Sequence, residues 1–169
     1  MVVLQTEVPV DGISGRQVTD FFVSCTDSDY QTWWEGTHLE FHTVERKTDV
    51  IGSGVYFDEY VGKHRLKFSG RITDYAIGKR LEYKLARGIP LPAWFAMEFR
   101  DRPNGVDIVH TVRAGYVGIG RVLDPLIRLY LSVGFEEALT SHAHVEFTRL
   151  GYLLRRGRDA GLDDLAHFL

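Results

Sequence analysis

Six successive stretches of this chain alternate apolar and polar residues with period two, and after them the pattern changes once, to a long repeat of helical spacing. The alternating stretches run from Thr37 to Arg46, Gly54 to Val61, His64 to Tyr75, Arg80 to Ala86, Trp94 to Arg100 and Val106 to Val117. Turn signals separate them at Lys47-Thr48-Asp49, Gly62-Lys63, Gly78-Lys79, Pro90 to Pro92 and Pro103-Asn104-Gly105. Connections this short join antiparallel neighbours, so the stretches predict a meander whose apolar face must be covered. The chain supplies the cover itself. After Gly118-Ile119-Gly120, a helix from Leu123 to Arg155 sets Leu131, Phe135, Leu139, Leu150 and Leu153 along one face.

Upstream, Val2 to Val8 reads as a first strand ended by Pro9 and Asp11-Gly12. Gly15 to Cys25 then carries apolar residues at helical steps, and Thr26 to Asp29 caps a short second helix from Tyr30 to Trp34. The order predicts an α+β fold in which a curved seven-stranded antiparallel sheet wraps a long C-terminal helix, with two short helices after the first strand. At 169 residues the chain is sized for one domain, placed at residues 1–156, and residues 157–169 form a polar C-terminal tail. Its 20 Lys and Arg against 23 Asp and Glu give no field that would favour nucleic acid or an anionic membrane, and no apolar run is long enough to span a bilayer. No signal peptide is evident, so the expected location is cytoplasmic. With Cys25 alone the chain holds neither an internal disulfide nor a cysteine-based zinc cluster. Trp33, Trp34, Trp94 and Phe95 offer more aromatic surface than one core easily hides, which suggests a homodimer.

The apolar stripe of the long helix is interrupted by His142 and Glu146, one turn apart and facing the same way. A buried carboxylate is costly unless a cation, a proton or hydrogen bonds answer it, so the interior must hold a partner for Glu146. Strand alternation supplies candidates. Glu59 shares a face with Val55, Phe57 and Val61; His64 with Leu66 and Phe68; His110 with Ile108, Val112 and Tyr116. The stretch Thr37 to Arg46 is ambiguous, because Leu39 and Phe41 compete with His38, Glu40 and His42 for the inner face. A symmetric turn at Lys47 to Val50 places His38 opposite Glu59 and His42 opposite Val55, with Leu39 and Phe41 outward or beneath the short helices. His38, Glu59, His142 and Glu146 then converge, with His42 the alternate to His38. Two imidazoles and two carboxylates suit zinc or another divalent transition metal. The cavity beside them would be lined by Phe57, His64, Leu66, Phe68 and Tyr83, with His110 and Tyr116 as groups able to donate a proton and Glu40 as a residue able to orient a ligand histidine.

The order of elements resembles the START-like superfamily (SRPBCC, the polyketide cyclase and birch-pollen-allergen group), which implies a helix-grip fold and a cavity for a hydrophobic or aromatic small molecule. Within it, Trp33-Trp34-Glu35-Gly36-Thr37-His38-Leu39-Glu40-Phe41-His42, Phe57-Asp58-Glu59 and the helical His142-x-x-x-Glu146 resemble the diacetylphloroglucinol hydrolases. That resemblance implies zinc held by His38, Glu59, His142 and Glu146 and hydrolytic cleavage of a carbon-carbon bond in a β-diketone or acylated phenol. The chain departs from those enzymes in length, and it shows no obvious match to their substrate-contacting tyrosine and asparagine residues. Two other functions fit the architecture. One is a non-catalytic carrier of a hydrophobic molecule, and the other a metal-free polyketide cyclase or dehydratase.

Overall fold

A computed structural model describes residues 1–116 and 133–166. The chain runs β1 (Val2–Asp11), α1 (Gly15–Ser24), α2 (Asp27–Trp33), β2 (His38–Glu45), β3 (Gly54–Val61), β4 (His64–Ala76), β5 (Arg80–Arg87), β6 (Ile89–Arg102), β7 (Gly105–Ala114) and α3 (Val133–Ala166). All seven strands form one antiparallel sheet in the order β1-β7-β6-β5-β4-β3-β2. This is the expected helix-grip arrangement. β1 reaches its place by pairing with β7, Val2 opposite Ala114 through Asp11 opposite Gly105, so the first strand closes the edge that the last leaves open.

Local chemistry accounts for the helix starts. Ser14 and Gln17 form a reciprocal capping box at α1, and Thr26 and Asp29 form another at α2. The second box begins α2 at Asp27, three residues before the start expected from the apolar spacing, and sets Tyr30 inside the helix. Prolines mislead at β6. Pro90 to Pro92 reads as a turn, yet the strand begins at Ile89 after Gly88 (φ 73°), with Pro90 opposite Ala86. On the other side the β7 ladder reaches only Ala93, so among the described residues no ladder partner there calls on the prolines for an N–H. α3 continues to Ala166, past the expected end at Arg155. Its expected start at Leu123, the Gly118-Ile119-Gly120 turn and Leu131 of the stripe lie outside the described residues.

The inner face of α3 is the core's second layer. Phe135, Leu139, His142, Ala143, Glu146, Phe147 and Leu150 are all buried, as the stripe predicts, with Ala143 and Phe147 completing it. Phe147 has no exposed surface; its ring centroid lies 6.4 Å from that of Trp33 and 5.9 Å from that of His110, so it ties α3 to α2 and to β7. Further along, a side chain at Gly151 would meet Val10 Cγ1 at 2.4 Å; the absence of one lets α3 cross β1 closely. The aromatic residues that suggested a homodimer find partners within the chain. Trp33 is buried, Phe95 stacks on Tyr83, Trp34 stacks on His142, and Lys84 lies over the Trp94 ring.

Phe147→Ala leaves a cavity at the junction of three elements and should cost about 3–5 kcal/mol. A urea unfolding midpoint that falls sharply at unchanged slope is the expected result; a midpoint within error of the parent would show that Phe147 does not anchor the helix.

Candidate metal centre

Alternation on β3 puts Glu59 inside and Asp58 outside, and an ion-pair cluster fixes that choice. Arg65 donates to both Asp58 oxygens, at 2.9 and 2.8 Å, and Lys67 Nζ lies 3.0 Å away. These hydrogen bonds hold the Asp58 carboxyl below its ordinary range, Arg65 contributing most. The Glu59 side chain is thereby turned to the concave face, and on β2 His38 lies opposite it, as the symmetric turn predicts.

Beyond that pair the symmetric turn fails. A β-bulge between His38 and Glu40 shifts the register, so Phe41 pairs with Phe57 and His42 with Tyr56. Strict period two cannot send residues 38 and 41 to one face; the extra residue at Leu39 does so. Phe41 is buried beneath Phe22 and Tyr30 and lines the cavity. His42 is corrected to the outer side, where its Nδ1 lies 2.8 Å from Asp27 Oδ1, and so cannot be the alternate ligand. Glu40 is exposed and orients no ligand.

His38, Glu59, His142 and Glu146 come together as expected, with one donor atom from each lying within 4.8 Å of the others. His38 Nε2 is 3.8 Å from Glu59 Oε2 and 3.5 Å from Glu146 Oε1; His142 Nε2 is 3.8 Å from Glu59 Oε2 and 3.8 Å from Glu146 Oε2. Each imidazole thus faces both carboxylates. Four ligands about 2.0–2.1 Å from a tetrahedral zinc stand about 3.3–3.4 Å apart, so a set spanning up to 4.8 Å must draw together to hold one. The two histidine Nε2 atoms also lack other employment, both being buried with no hydrogen-bond partner. The residues fit a divalent metal.

Tyr30, which alternation and spacing did not single out, holds two of these side chains. Its hydroxyl donates to Glu59 Oε2 at 2.5 Å, its carbonyl accepts from His38 Nδ1 at 3.2 Å, and its ring stacks on the His38 imidazole at 3.9 Å. The carbonyl contact fixes the tautomer that leaves His38 Nε2 free toward the cluster. Trp34 covers the other histidine, its ring 4.7 Å from that of His142 with Arg149 stacked beyond it. Trp33 Nε1 donates to the Glu146 carbonyl at 2.7 Å and locks α2 to the turn of α3 that carries the two ligands.

Burial controls the charges. Desolvation pushes Glu59 up to about 7 and Glu146, beside the Glu59 carboxyl, well above its ordinary range. It also pushes His38 down to about 3 and His142 to about 4. Without a cation, and below about pH 7, the cluster is therefore neutral, carrying its protons on the carboxyls. A bound dication reverses that preference.

The cluster closes one end of a cavity of about 490 Å³. Phe57, Leu66, Phe68, Tyr83, His110 and Tyr116 line it as expected. His64 does not; it sits at the β3–β4 turn with its ring edge-on to Phe135, 5.7 Å away. His110 is buried between Phe95 and Phe147, and burial pushes it down to about 3, so its imidazole is neutral at pH 7.

No family model matches the chain, and no curated protein matches its sequence. Solved structures do share its fold. TTHA0849 from Thermus thermophilus superposes with a TM-score of 0.62 at 8% identity, over 92% of this chain and 99% of that one. Protein NE0264 from Nitrosomonas europaea gives 0.58 at 14% identity, over 94% and 97%. Ara h 8.0201 gives 0.52 at 12% identity, over 91% and 98%. At such identities the likeness establishes the architecture alone. Among the described residues no helix is long and apolar enough to cross a membrane.

Tyr30→Phe removes one hydrogen bond to Glu59 and keeps the ring stacked on His38. Zinc affinity measured by chelator competition should fall about 10- to 100-fold, and an unchanged affinity would mean that Tyr30 does not orient the cluster. The charges predict a second result. Both carboxyls are raised from an ordinary 4.5, so metal-free protein loses their stabilising contribution as pH climbs towards and through 7. Both histidines are lowered from 6.5, and they offset that loss only below 6.5. The melting temperature of chelator-treated protein should therefore fall from pH 6.5 to 8, whereas zinc-loaded protein should not follow it; parallel profiles would refute this account of the charges.

Proposed function

We propose that the chain is a metal-dependent hydrolase of the START-like superfamily that cleaves a carbon-carbon bond of a β-diketone or acylated phenol. The observation that carries this reading is the set of four ligand side chains, two buried imidazoles with unpartnered Nε2 atoms and two largely buried carboxyls, beside an aromatic cavity. His38, Glu59, His142 and Glu146 would hold zinc or a related divalent ion. Such an ion supplies Lewis acidity towards a carbonyl oxygen and makes water a usable nucleophile near neutral pH.

The net reaction consumes one water. The bond between the acyl carbon and its neighbour breaks; the acyl carbon leaves as a carboxylic acid, and the neighbouring carbon keeps the electron pair and takes a proton. The protein's own side chains have separable tasks. Phe41, Phe57 and Phe68 hold a flat apolar ligand, and Tyr30 and Trp34 keep Glu59 and His142 in place. His110 is neutral, so it serves as a hydrogen-bonding group towards a ligand oxygen rather than as a charged acid. Tyr116, half-buried on the cavity wall, is the second group able to pass a proton.

The proton-bearing state of the cluster favours a second reading. With Glu59 and Glu146 protonated the site is self-consistent without metal, and the same cavity then suits a carrier or a metal-free cyclase.

Metal content separates the readings. Protein purified without a histidine tag should carry close to one transition metal per chain, and Glu146→Gln should lose most of it, because a neutral amide replaces a charged ligand. Loaded protein should release a carboxylic acid from a panel of β-diketones and acylphenols. Equal metal in parent and variant would sink the site; metal without acid release but with tight aromatic binding would favour the carrier.

A further inference from the structure

Two polar atoms on residues of the cavity wall remain unanswered away from the four-residue cluster. The Tyr83 hydroxyl and His110 Nδ1 are both fully buried and neither has a hydrogen-bond partner. Both residues line the cavity, at 2% and 4% exposure. They come from different strands, Tyr83 from β5 and His110 from β7, and Phe95 of β6 lies between them. Its ring stacks on Tyr83 at 5.8 Å and meets His110 edge-on at 4.8 Å. Buried polar groups are satisfied in folded proteins almost without exception, and a pair left open beside one aromatic ring in a cavity points to an absent partner. A phenylalanine at 83 would fill the same space without a stranded hydroxyl, so packing alone does not account for tyrosine there.

We infer that Tyr83 and His110 form a second polar subsite, separate from the four-residue cluster, which binds an uncharged ligand oxygen, a hydroxyl or a carbonyl, while Phe95 packs against the ligand's apolar body. The inference rests on the cavity being a ligand site, and it does not depend on a metal. Tyr83 is a donor and acceptor and His110 Nδ1 takes either role with its tautomer, so one hydroxyl or carbonyl oxygen can satisfy either atom. A ligand would be held at two points, by the cluster at one end and by this pair on the β5–β7 wall. Unsubstituted hydrocarbons of equal shape would be discriminated against, because they leave both atoms unpaired.

The test compares 2-naphthol with 2-methylnaphthalene, which differ by a hydroxyl in place of a methyl, by titration calorimetry on the full chain, chelator-treated and zinc-loaded. Wild type should prefer 2-naphthol by roughly tenfold in both states. Tyr83→Phe and His110→Leu should each reduce that preference severalfold and leave 2-methylnaphthalene affinity unchanged. Tyr83→Phe should not lower the melting temperature, as it would if the hydroxyl supported the fold. Equal affinity of wild type for the two probes would show that water alone answers the pair, and would overturn the subsite. So would a preference untouched by either substitution, or one lost on chelation, which would belong to the metal cluster. Failure of both probes to bind would overturn the cavity reading itself. A preference that persists in protein unable to take up zinc would sink only the hydrolase.

Discussion

The packing of α3 into the concave sheet governs everything else in this molecule. Phe135, Leu139, Ala143, Phe147 and Leu150 bury one stripe of the helix, and that burial outweighs the cost of the two polar residues carried on the same stripe. His142 and Glu146 have no choice of environment, because rotating the helix to free them would expose Phe147. The sheet cannot close completely over a helix of this girth with aromatic side chains on both layers. What is left between them is the cavity of about 490 Å³, with the helix's two polar residues at one end.

On the sheet side the decisive irregularity is one extra residue. The bulge at Leu39 lets β2 present both His38 and Phe41 to the interior, and it passes His42 to the outer face and Asp27. The metal-competent histidine and an aromatic wall of the cavity thus come from one short edge strand. Tyr30 secures the result from α2, since its hydroxyl, carbonyl and ring each engage a member of the cluster. The capping box that starts α2 at Asp27 is therefore part of the site's construction as well as of the helix.

Electrostatics inside the cluster are poised between two states. Burial drives protons onto Glu59 and Glu146 and off His38 and His142, which below about pH 7 yields a neutral set able to persist without a cation. A divalent ion inverts the balance, because two carboxylates then face a charge that more than offsets their mutual repulsion. Arg149 stacks on Trp34 and acts on His38 from that side. The burial that makes an empty cluster neutral is also what would make a bound ion strongly held.

The periodicities carried most of the architecture. Period two from Thr37 onward, turn residues between the stretches and the stripe from Phe135 to Leu153 specify six antiparallel strands and one covering helix, since both signals report directly which face must leave water. The same logic placed Glu59, His110, His142 and Glu146 inside. It misjudged Pro90 to Pro92, because a proline's tolerance in a strand depends on whether a neighbour needs its N–H. It placed His42 inside and, though it allowed Phe41 a place beneath the short helices, did not bring that ring to the cavity wall, because a bulge leaves no mark in an alternating pattern. Tyr30 stayed hidden because its function lies in contacts to β2 and β3, made by a helix whose own spacing shows only that the residue is buried. The sequence by itself determined which faces are apolar and which polar residues share them; the tertiary structure decided which of those residues meet, because register, bulges and the crossing of α2 and α3 are set by packing between distant segments rather than by any local pattern.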